Sequence, residues 1–440
     1  MNTIAHRITR SLAGLAGLAA LSAALLWAPP AFAADKITLK DGKVVEGTIV
    51  REVDGYVWVK YQLGGIDHEQ MYQPSEIASI DRDAPAKADA AAPTPGPDQK
   101  KATPPKDGVP RAAVITLGTR DEDQGEMVGV YMTAHALQQM LPLLEQELGD
   151  DGSGVVVLRV TSGGGLTIEM PKISDEIQNE YKRHFRTVAW IDSAISAAAM
   201  SSHCIEEIYF TPQGNYGACT EFRGQLEASK GRQLESVLYL MEKISARGGY
   251  NPLIMRAMEI QQPLSATIDS NGEVHWYNDA TSGEILVNRP NEILTFNAVT
   301  AQKVKFSKGT AATIDELRKL MGYQELNWVG KEVKGTPWPV CKAEEWNIAY
   351  RRQVHKDEEH FQEYANAYQM QIAAASSEST REARGKFVNQ ARQTLQKLKD
   401  ACRTNPNFAL LHLNLNIIDD PNAVRDFFDE QERRLRDLLR

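Results

Sequence analysis

Residues 155–218 decide the fold; they begin VVVLRVTSGGGLTIEM and end RTVAWIDSAISAAAMSSHCIEEIYFTPQGNYGA. Residues 155–160 form a nearly continuous apolar run rich in β-branched side chains, which is typical of a strand covered on both faces. Gly163, Gly164 and Gly165 end this strand and leave backbone N–H groups accessible, because they carry no side chain. Residues 188–191 repeat the strand pattern. The stretch therefore predicts two neighbouring buried strands, the first of which is followed by a glycine loop.

Strand and helix patterns alternate on both sides of this stretch. Alternation of this kind favours an α/β fold with a mainly parallel, helix-covered sheet. We assign residues 111–340 to this domain. The predicted strands are 112–117, 155–160, 188–191, 207–211, 264–268, 274–277 and 285–286, and the predicted helices are 133–148, 168–183, 232–247, 251–260, 300–303 and 314–321.

Ser196 is the first candidate functional residue. It begins a predicted helix of small residues, ISAAAM at 195–200, whose alanines allow close packing behind the hydroxyl. A serine between a glycine loop and a helix N-terminus has backbone N–H groups nearby, which are the components of a nucleophile and an oxyanion hole. The alternative is that Ser196 is only a small residue at a helix start.

Residues 1–33 have the pattern of a signal peptide. Arg7 and Arg10 precede an apolar run at 12–27, and Ala31-Phe32-Ala33 supplies small residues before a cut. The pattern predicts an exported protein, periplasmic or secreted. The alternative is a retained membrane anchor, which would make the protein membrane-associated.

Residues 34–83 form a predicted small β unit. Short alternating runs are separated by Asp41-Gly42 and Asp54-Gly55, which are strong hairpin signals. The unit resembles SH3-like or Sm-like barrels, and it serves either to dock a partner or as a packing appendage. Residues 84–110 are rich in alanine and proline and predict a solvated linker.

Residues 341–440 predict a helical C-terminal region. Apolar and aromatic residues recur there at spacings of three, four and seven. Two antiparallel helices with a break at 376–379, and a third helix at 423–439, fit this pattern. We interpret the aromatic stripe as core, with partner binding or oligomerisation through this region as the alternative.

Charge and cysteine content limit the classes of function. The net charge of −9 becomes more negative once the leader is removed, which disfavours nucleic acid and anionic lipid as partners. The four cysteines are widely spaced and define no disulfide framework, although export would permit one. No pair of histidines or cysteines has metal-ligand spacing, so we expect neither a metal nor another cofactor.

Three segments resemble a known family, the Clp-fold serine proteases, and most closely the NfeD-type exported proteases related to signal peptide peptidase A. They are 162–166 (SGGGL), 195–198 (ISAA) and 212–218 (PQGNYGA), and residues 292–322 are similar to the closing segment of the family. The resemblance covers about residues 111–322. It implies a Clp/crotonase-like parallel sheet of repeated ββα units.

The resemblance also implies a serine–lysine dyad that hydrolyses peptide bonds of membrane or envelope polypeptides. Ser196 matches the nucleophile and Lys230 the general base, with Lys243 as the second choice for the base. The oxyanion would be bound by the N–H groups of Gly165 and Ala197, with Gly164 shaping the loop. Homo-oligomers are implied too, since related folds complete their sites in rings or dimers.

The sequence departs from the family pattern at two positions. Gly163 replaces a proline and Ala198 stands where the family has glycine. We interpret His203 as structural, and Ser201 and Ser202 have no evident base. Two alternatives remain: a catalytically inactive Clp-fold scaffold, and a crotonase-type acyl-CoA enzyme. The export signal disfavours the second, because coenzyme A is cytoplasmic.

Overall fold

The computed structural model describes residues 35–53, 55–63, 66–82, 108–119, 125–223 and 227–440. It divides into two compact units, residues 1–90 and 91–440. The predicted signal peptide and nearly all of the predicted linker lie outside the described residues. Within the described parts of the chain, none of the helices combines the length and the apolar character needed to cross a bilayer.

The smaller unit is one antiparallel sheet of five strands in the order β4-β3-β2-β1-β5. Ile37, Val57, Val59 and Tyr72 form its buried core. The assignment to SH3-like or Sm-like barrels stays a prediction. The strands are β1 (Asp35–Leu39), β2 (Val44–Val53), β3 (Tyr56–Leu63), β4 (Ile66–Tyr72) and β5 (Ile77–Asp81).

The larger unit is a mixed α/β structure. Its strands are β6 (Arg111–Leu117), β7 (Val155–Ser162), β8 (Arg186–Ile195), β9 (Ile208–Phe210), β10 (Asn215–Gly217), β11 (Phe222–Arg223), β12 (Glu227–Ala228), β13 (Leu264–Ile268), β14 (Val274–Tyr277), β15 (Ile285–Asn288), β16 (Thr295–Asn297), β17 (Gly309–Thr310) and β18 (Asn327–Trp328). Its helices are α1 (Ala134–Leu148), α2 (Glu169–Glu176), α3 (Lys182–His184), α4 (Ala197–Ser202), α5 (Arg232–Arg247), α6 (Pro252–Glu259), α7 (Ala298–Lys303), α8 (Ile314–Leu320), α9 (Lys342–Ser377), α10 (Arg381–Thr404), α11 (Phe408–His412) and α12 (Ala423–Asp437).

The main sheet has the order β16-β10-β8-β7-β6-β18 and is parallel except for β16. Strand β8 pairs with β7 along one edge and with two strands along the other edge. Residues 189–191 of β8 pair with β9, and residues 194–195 pair with β10. The sheet therefore divides at the carboxyl end of β8, which is where Ser196 follows.

Both faces of the central strands are buried, as the apolar runs predict. Along β7, Val156, Leu158 and Val160 face the larger core cluster, while Val155 and Val157 face a second cluster with Trp190. Full burial of each such side chain contributes about 1.5–3 kcal/mol. The strands that hold the glycine loop and Ser196 are therefore fixed from two sides.

The structure differs from the sequence-based expectations in two elements near the site. Strand β8 begins two residues earlier and ends four residues later than predicted, so it reaches Ile195. The helix predicted at 168–183 is α2 and α3 joined by a π-helical turn at Ile177–Tyr181. Periodicity did not reveal the extra residue that a π turn inserts.

Candidate active site

Ser196 lies at a sharp strand-to-helix turn, between the end of β8 and the first residue of α4. Its backbone has φ 54° and ψ −126°, and its N–H donates to the carbonyl oxygen of Gly217 at 2.9 Å. A non-glycine residue in such a conformation costs about 1–3 kcal/mol and persists only where its surroundings enforce it. Sharp strand-to-helix turns of this kind present the nucleophilic serine in α/β-hydrolases. The side chain of Ser196 is partly exposed, whereas Ala197 is fully buried behind it.

Gly164 packs directly against Ser196. A Cβ atom on Gly164 would lie 2.6 Å from the Cβ of Ser196 and 3.2 Å from its Oγ. Gly164 also has φ +106°, which side-chain-bearing residues rarely adopt. Glycine is thus required here both by the backbone and by the approach of the serine.

The glycine loop is held by a short parallel bridge to Val128. The N–H of Val128 donates to the oxygen of Gly164 at 2.8 Å, and the N–H of Leu166 donates to the oxygen of Val128 at 3.0 Å. Because backbone groups alternate in an extended segment, the N–H of Gly165 points away from Val128. The loop is therefore pinned on one side and presents Gly165 on the other.

Two N–H groups beside Ser196 have no hydrogen-bond acceptor within the described part of the chain. They belong to Gly165 and to Ala197, the first residue of α4. The N–H of Gly164 is engaged by Ser162 Oγ at 3.2 Å. Free N–H donors at a helix N-terminus bind negative charge well. Both N–H groups are the ones that the resemblance implied for an oxyanion hole.

Lys230 lies on a segment that is linked to the glycine loop through Glu221. Ser229 Oγ donates to one oxygen of Glu221 at 2.5 Å, and Thr167 Oγ donates to the other oxygen at 3.3 Å. The side chain of Lys230 itself is exposed. The second-choice base, Lys243, is also exposed, and its Nζ lies 4.9 Å from the ring centre of Tyr239.

A buried lysine lies elsewhere in the same domain. Lys182 Nζ donates to Gln178 Oε1 at 2.7 Å and to the carbonyl oxygen of Cys204 at 3.0 Å. Cys204 follows the carboxyl end of α4, whereas Ser196 precedes the amino end of that helix. Lys182 is therefore a structural group at the opposite end of α4 from the serine.

Glu259 is a buried carboxyl group close to the site that the sequence analysis missed. It is 2% exposed, and burial raises its pKa to about 7. One oxygen accepts the N–H of Glu221 at 3.0 Å, while the other is buried without a hydrogen-bond partner in the described residues. No sequence motif marks Glu259, because its burial near the site depends on contact with Glu221, which lies 38 residues away in the chain.

His203 is structural, as interpreted from the sequence. It is fully buried, and burial lowers its pKa to about 3. Its Nδ1 lies 3.0 Å from the hydroxyl of Tyr216, and its ring lies against those of Tyr250 and Phe306. Full burial keeps this ring away from solvent, and its lowered pKa makes it a weak base, so His203 is poorly suited to accept a proton from a serine.

Ser201 and Ser202 are satisfied within α4 and are not competing nucleophiles. Ser201 Oγ donates to the oxygen of Ala197 at 2.6 Å, and Ser202 Oγ donates to that of Ala198 at 2.8 Å. Both serines are fully buried. Ser196, which precedes α4, is partly exposed and therefore has access to solvent.

One trio of potential metal ligands occurs within the described residues, on the β13–β14 hairpin. It consists of Asp269, Glu273 and His275. The carboxylate of Asp269 already accepts the backbone N–H of Glu273 at 2.8 Å, an interaction that holds the turn. The trio is explained by hairpin geometry, and we assign no metal to it.

The chain is similar to two solved structures of the 1510-N membrane-bound stomatin-specific protease. A serine-to-alanine mutant of that protease is 13% identical, with a TM-score of 0.34, covering 52% of this chain and 92% of that chain. A lysine-to-alanine mutant, in complex with a substrate peptide, is 14% identical with a TM-score of 0.34, covering 52% of this chain and 86% of that chain. The sequence matches no protein-family profile and no curated protein. At this level of similarity, function rests on the geometry of the site.

Proposed function

We propose that this chain is an exported serine endopeptidase that hydrolyses peptide bonds of membrane or envelope polypeptides, with Ser196 as the nucleophile. One observation carries the proposal: Ser196 is held in a strained turn with positive φ against Gly164, beside two N–H groups for which the described residues offer no acceptor. Residues held in rarely populated backbone conformations cluster at active sites, where the strain presents a reactive group. Acyl transfer is the chemistry that such a serine and donor pair support.

The reaction follows from these positions. Ser196 Oγ attacks the carbonyl carbon of the scissile bond while its proton passes to a base. The N–H groups of Gly165 and Ala197 donate to the oxyanion that develops, and removing one such donor typically costs 10²–10³-fold in rate. The base then protonates the leaving amine, which departs and leaves an acyl-enzyme. Water attacks that ester by the same route and releases the second product.

Lys230 is our candidate for the base. Its neighbour Ser229 is linked through Glu221 to Thr167, which follows the glycine loop by two residues. Lys230 is exposed in the isolated chain, so the proposal requires a bound polypeptide to cover its amine and exclude water from it. On this proposal, Lys230 acts as the base of the serine–lysine dyad only while substrate is bound.

We assign the α/β domain to Clp-fold proteases of the NfeD and signal peptide peptidase A group, with repeated ββα units. The smaller unit is then an SH3-like or Sm-like docking module, and the helical C-terminal region supports partner binding or a homo-oligomer. The pattern of residues 1–33 supports export.

Labelling of the intact protein with a fluorophosphonate tests the proposal. We expect covalent labelling that is lost in Ser196→Ala, together with hydrolysis of casein or hydrophobic peptides. Lys230→Ala should lower turnover by at least about 10²-fold, whereas Lys243→Ala, an exposed lysine on α5, should retain it. Absence of both labelling and hydrolysis in the wild-type protein would overturn the proposal.

A catalytically inactive scaffold is the second candidate, and the exposure of Lys230 favours it. On this hypothesis the strained serine is inherited, and the chain binds polypeptides without cleaving them. Peptide binding by wild-type protein that is unlabelled by the fluorophosphonate would support the scaffold. Labelling at Ser196 would exclude it.

A further inference from the structure

Two buried asparagines of the helical C-terminal region contact the turn that supports the glycine loop. Asn405 and Asn407 lie between α10 and α11, and each is 1% exposed. The side-chain amide of Asn407 donates to the oxygen of Gly129 at 3.0 Å. That of Asn405 donates to the oxygens of Gly129 and Val130 at 3.2 and 3.3 Å. The two residues form an asparagine clamp, since the N–H of Asn407 also donates to Asn405 Oδ1 at 2.9 Å.

The turn under this clamp is the partner of the glycine loop. Val128 exchanges two hydrogen bonds with Gly164 and Leu166. Gly129 packs against Leu166 so closely that a Cβ on Gly129 would lie 2.7 Å from the leucine side chain. A shift of the turn at residues 128–130 therefore moves the backbone that presents Gly165.

We propose that the asparagine clamp positions the oxyanion loop, so that the C-terminal region is part of the catalytic apparatus. Asn405 and Asn407 are positioning residues; they act through Gly129, Val128 and the glycine loop. Buried amides that donate to backbone carbonyls fix a segment strongly, because an unsatisfied carbonyl in the interior is unfavourable. The effect of the clamp on catalysis rests on the proposed function, whereas the coupling of the clamp to the glycine loop through residues 128–130 does not.

The test compares three variants of the full chain. The double variant Asn405→Ala/Asn407→Ala removes the three amide bonds to the turn. Leu398→Ala truncates a buried leucine in the core of the same helical region, and it controls for general destabilisation. Asn416→Ala removes an exposed asparagine whose side-chain bonds stay local, to Asp419. Each variant is studied under conditions where circular dichroism shows it to be folded.

Two readouts are measured. Native-state hydrogen exchange of peptides containing Leu166 reports the bond from its N–H to Val128. We expect exchange at least about tenfold faster in the double variant than in either control. The rate of fluorophosphonate labelling at Ser196 reports the oxyanion loop, and we expect it to fall about tenfold or more in the double variant alone.

The outcomes separate the inference from the proposed function. If wild-type protein is not labelled, the proposed function fails, and faster exchange at Leu166 still supports the link between clamp and loop. If exchange at Leu166 is the same in the double variant and in Leu398→Ala, the inference is overturned. Faster exchange with labelling at the wild-type rate would also overturn it, because the loop would then not depend on the clamp for its function.

Discussion

At the scale of single residues, two backbone conformations that non-glycine residues rarely adopt lie close together at the candidate site. Ser196 and Ala218 both have positive φ, at 54° and 48°, and the carbonyl oxygen of Gly217, the last residue of β10 and the residue before Ala218, accepts the N–H of Ser196. Holding two non-glycine residues in such conformations costs roughly 2–6 kcal/mol in total. The neighbouring strands supply this energy through burial, which links the packing of β8 and β10 to the exposure of the serine hydroxyl.

We predict that Gly164→Ala abolishes fluorophosphonate labelling. The added methyl group would overlap the side chain of Ser196, which must then move from the loop. Gly322→Ala is the matched control, because Gly322 also has positive φ, at +84°, but open space around its Cβ position. Both variants should lose about 1 kcal/mol or more of stability from backbone strain. Labelling at the wild-type rate in Gly164→Ala would contradict the close approach of loop and serine.

Glu259 predicts a pH dependence of stability. Burial raises its folded-state pKa from the ordinary value of 4.5 to about 7. The native state therefore holds a proton that the unfolded state releases above pH 4.5, and the resulting stability is lost as the pH rises towards 7. At about 1.4 kcal/mol per pKa unit, the loss is about 3 kcal/mol.

Glu259→Gln should remove this decrease in the free energy of unfolding with rising pH, since a neutral amide of equal size replaces the carboxyl group. Urea unfolding at pH 4 to 8 measures the effect. Glu284→Gln, at an exposed position, should keep the wild-type slope. Parallel curves for wild type and Glu259→Gln would show that Glu259 titrates normally in the folded protein.

At the scale of elements, the first turns of α9 complete the sheet at the edge of β6. The N–H of Thr116 donates to Glu344 Oε2 at 2.9 Å, and its oxygen accepts from Asn347 Nδ2 at 2.8 Å and from Arg351 Nη1 at 2.9 Å. β18 pairs only with residues 111–112 of β6, so the remaining edge would otherwise be unpaired. The side chains of Glu344, Asn347 and Arg351 thus form hydrogen bonds with the edge of β6 that a further strand would otherwise form. We call these three side chains the edge cap of β6.

Glu344→Ala should therefore destabilise the fold by about 1–3 kcal/mol or more, because it leaves the buried N–H of Thr116 without its acceptor and removes one of the two carboxylates beside Arg351, the other being Glu126. Glu345→Ala is the control on the same turn. Glu345 is exposed and pairs with Lys331 across 3.5 Å at the surface, so its loss should cost at most about 1 kcal/mol. Equal effects in chemical denaturation would rule out the edge cap.

The sequence predicts most elements but few of the contacts between them. Helix α5 occupies residues 232–247 as predicted, since its apolar positions and the glycines after it are local signals. The position of Ser196 between a strand and a helix could also be predicted, because the strand, the serine and the run of alanines are adjacent in the chain. The contact of Glu344 with Thr116 spans 228 residues, and that of Asn407 with Gly129 spans 278. Neither has a local pattern, so neither could be predicted.

At the scale of the whole larger unit, α9 belongs to two buried clusters. Tyr350 and Val354 lie in the core of the α/β domain, and Tyr364, Tyr368 and Ile372 lie in that of the C-terminal helices. The helix runs from Lys342 to Ser377 without a break. Unfolding the second cluster alone would therefore fray a helix whose first half stays packed. We infer that the two clusters unfold together.

The four cysteines can test this inference, because each is buried and unpaired. Cys204, Cys219 and Cys341 lie in the α/β core, and Cys402 lies among the C-terminal helices. Burial raises the thiol pKa of Cys341 and of Cys402 to about 12, so neither reacts readily while folded.

We predict that a thiol reagent modifies none of them in native protein at pH 8, and that Cys341 and Cys402 react over the same range of urea concentrations. Mass spectrometry of the labelled peptides measures each site separately. Serine at Cys204 and Cys219 would simplify the measurement, provided that these variants keep the wild-type unfolding midpoint. Reaction of Cys402 at a clearly lower urea concentration than Cys341 would mean that the C-terminal helices unfold first, and that α9 does not couple the two clusters. If α9 couples the two clusters, they unfold in a single transition that also breaks the asparagine clamp and the contacts of α9 with β6. Cys341 and Cys402 then become exposed and react together.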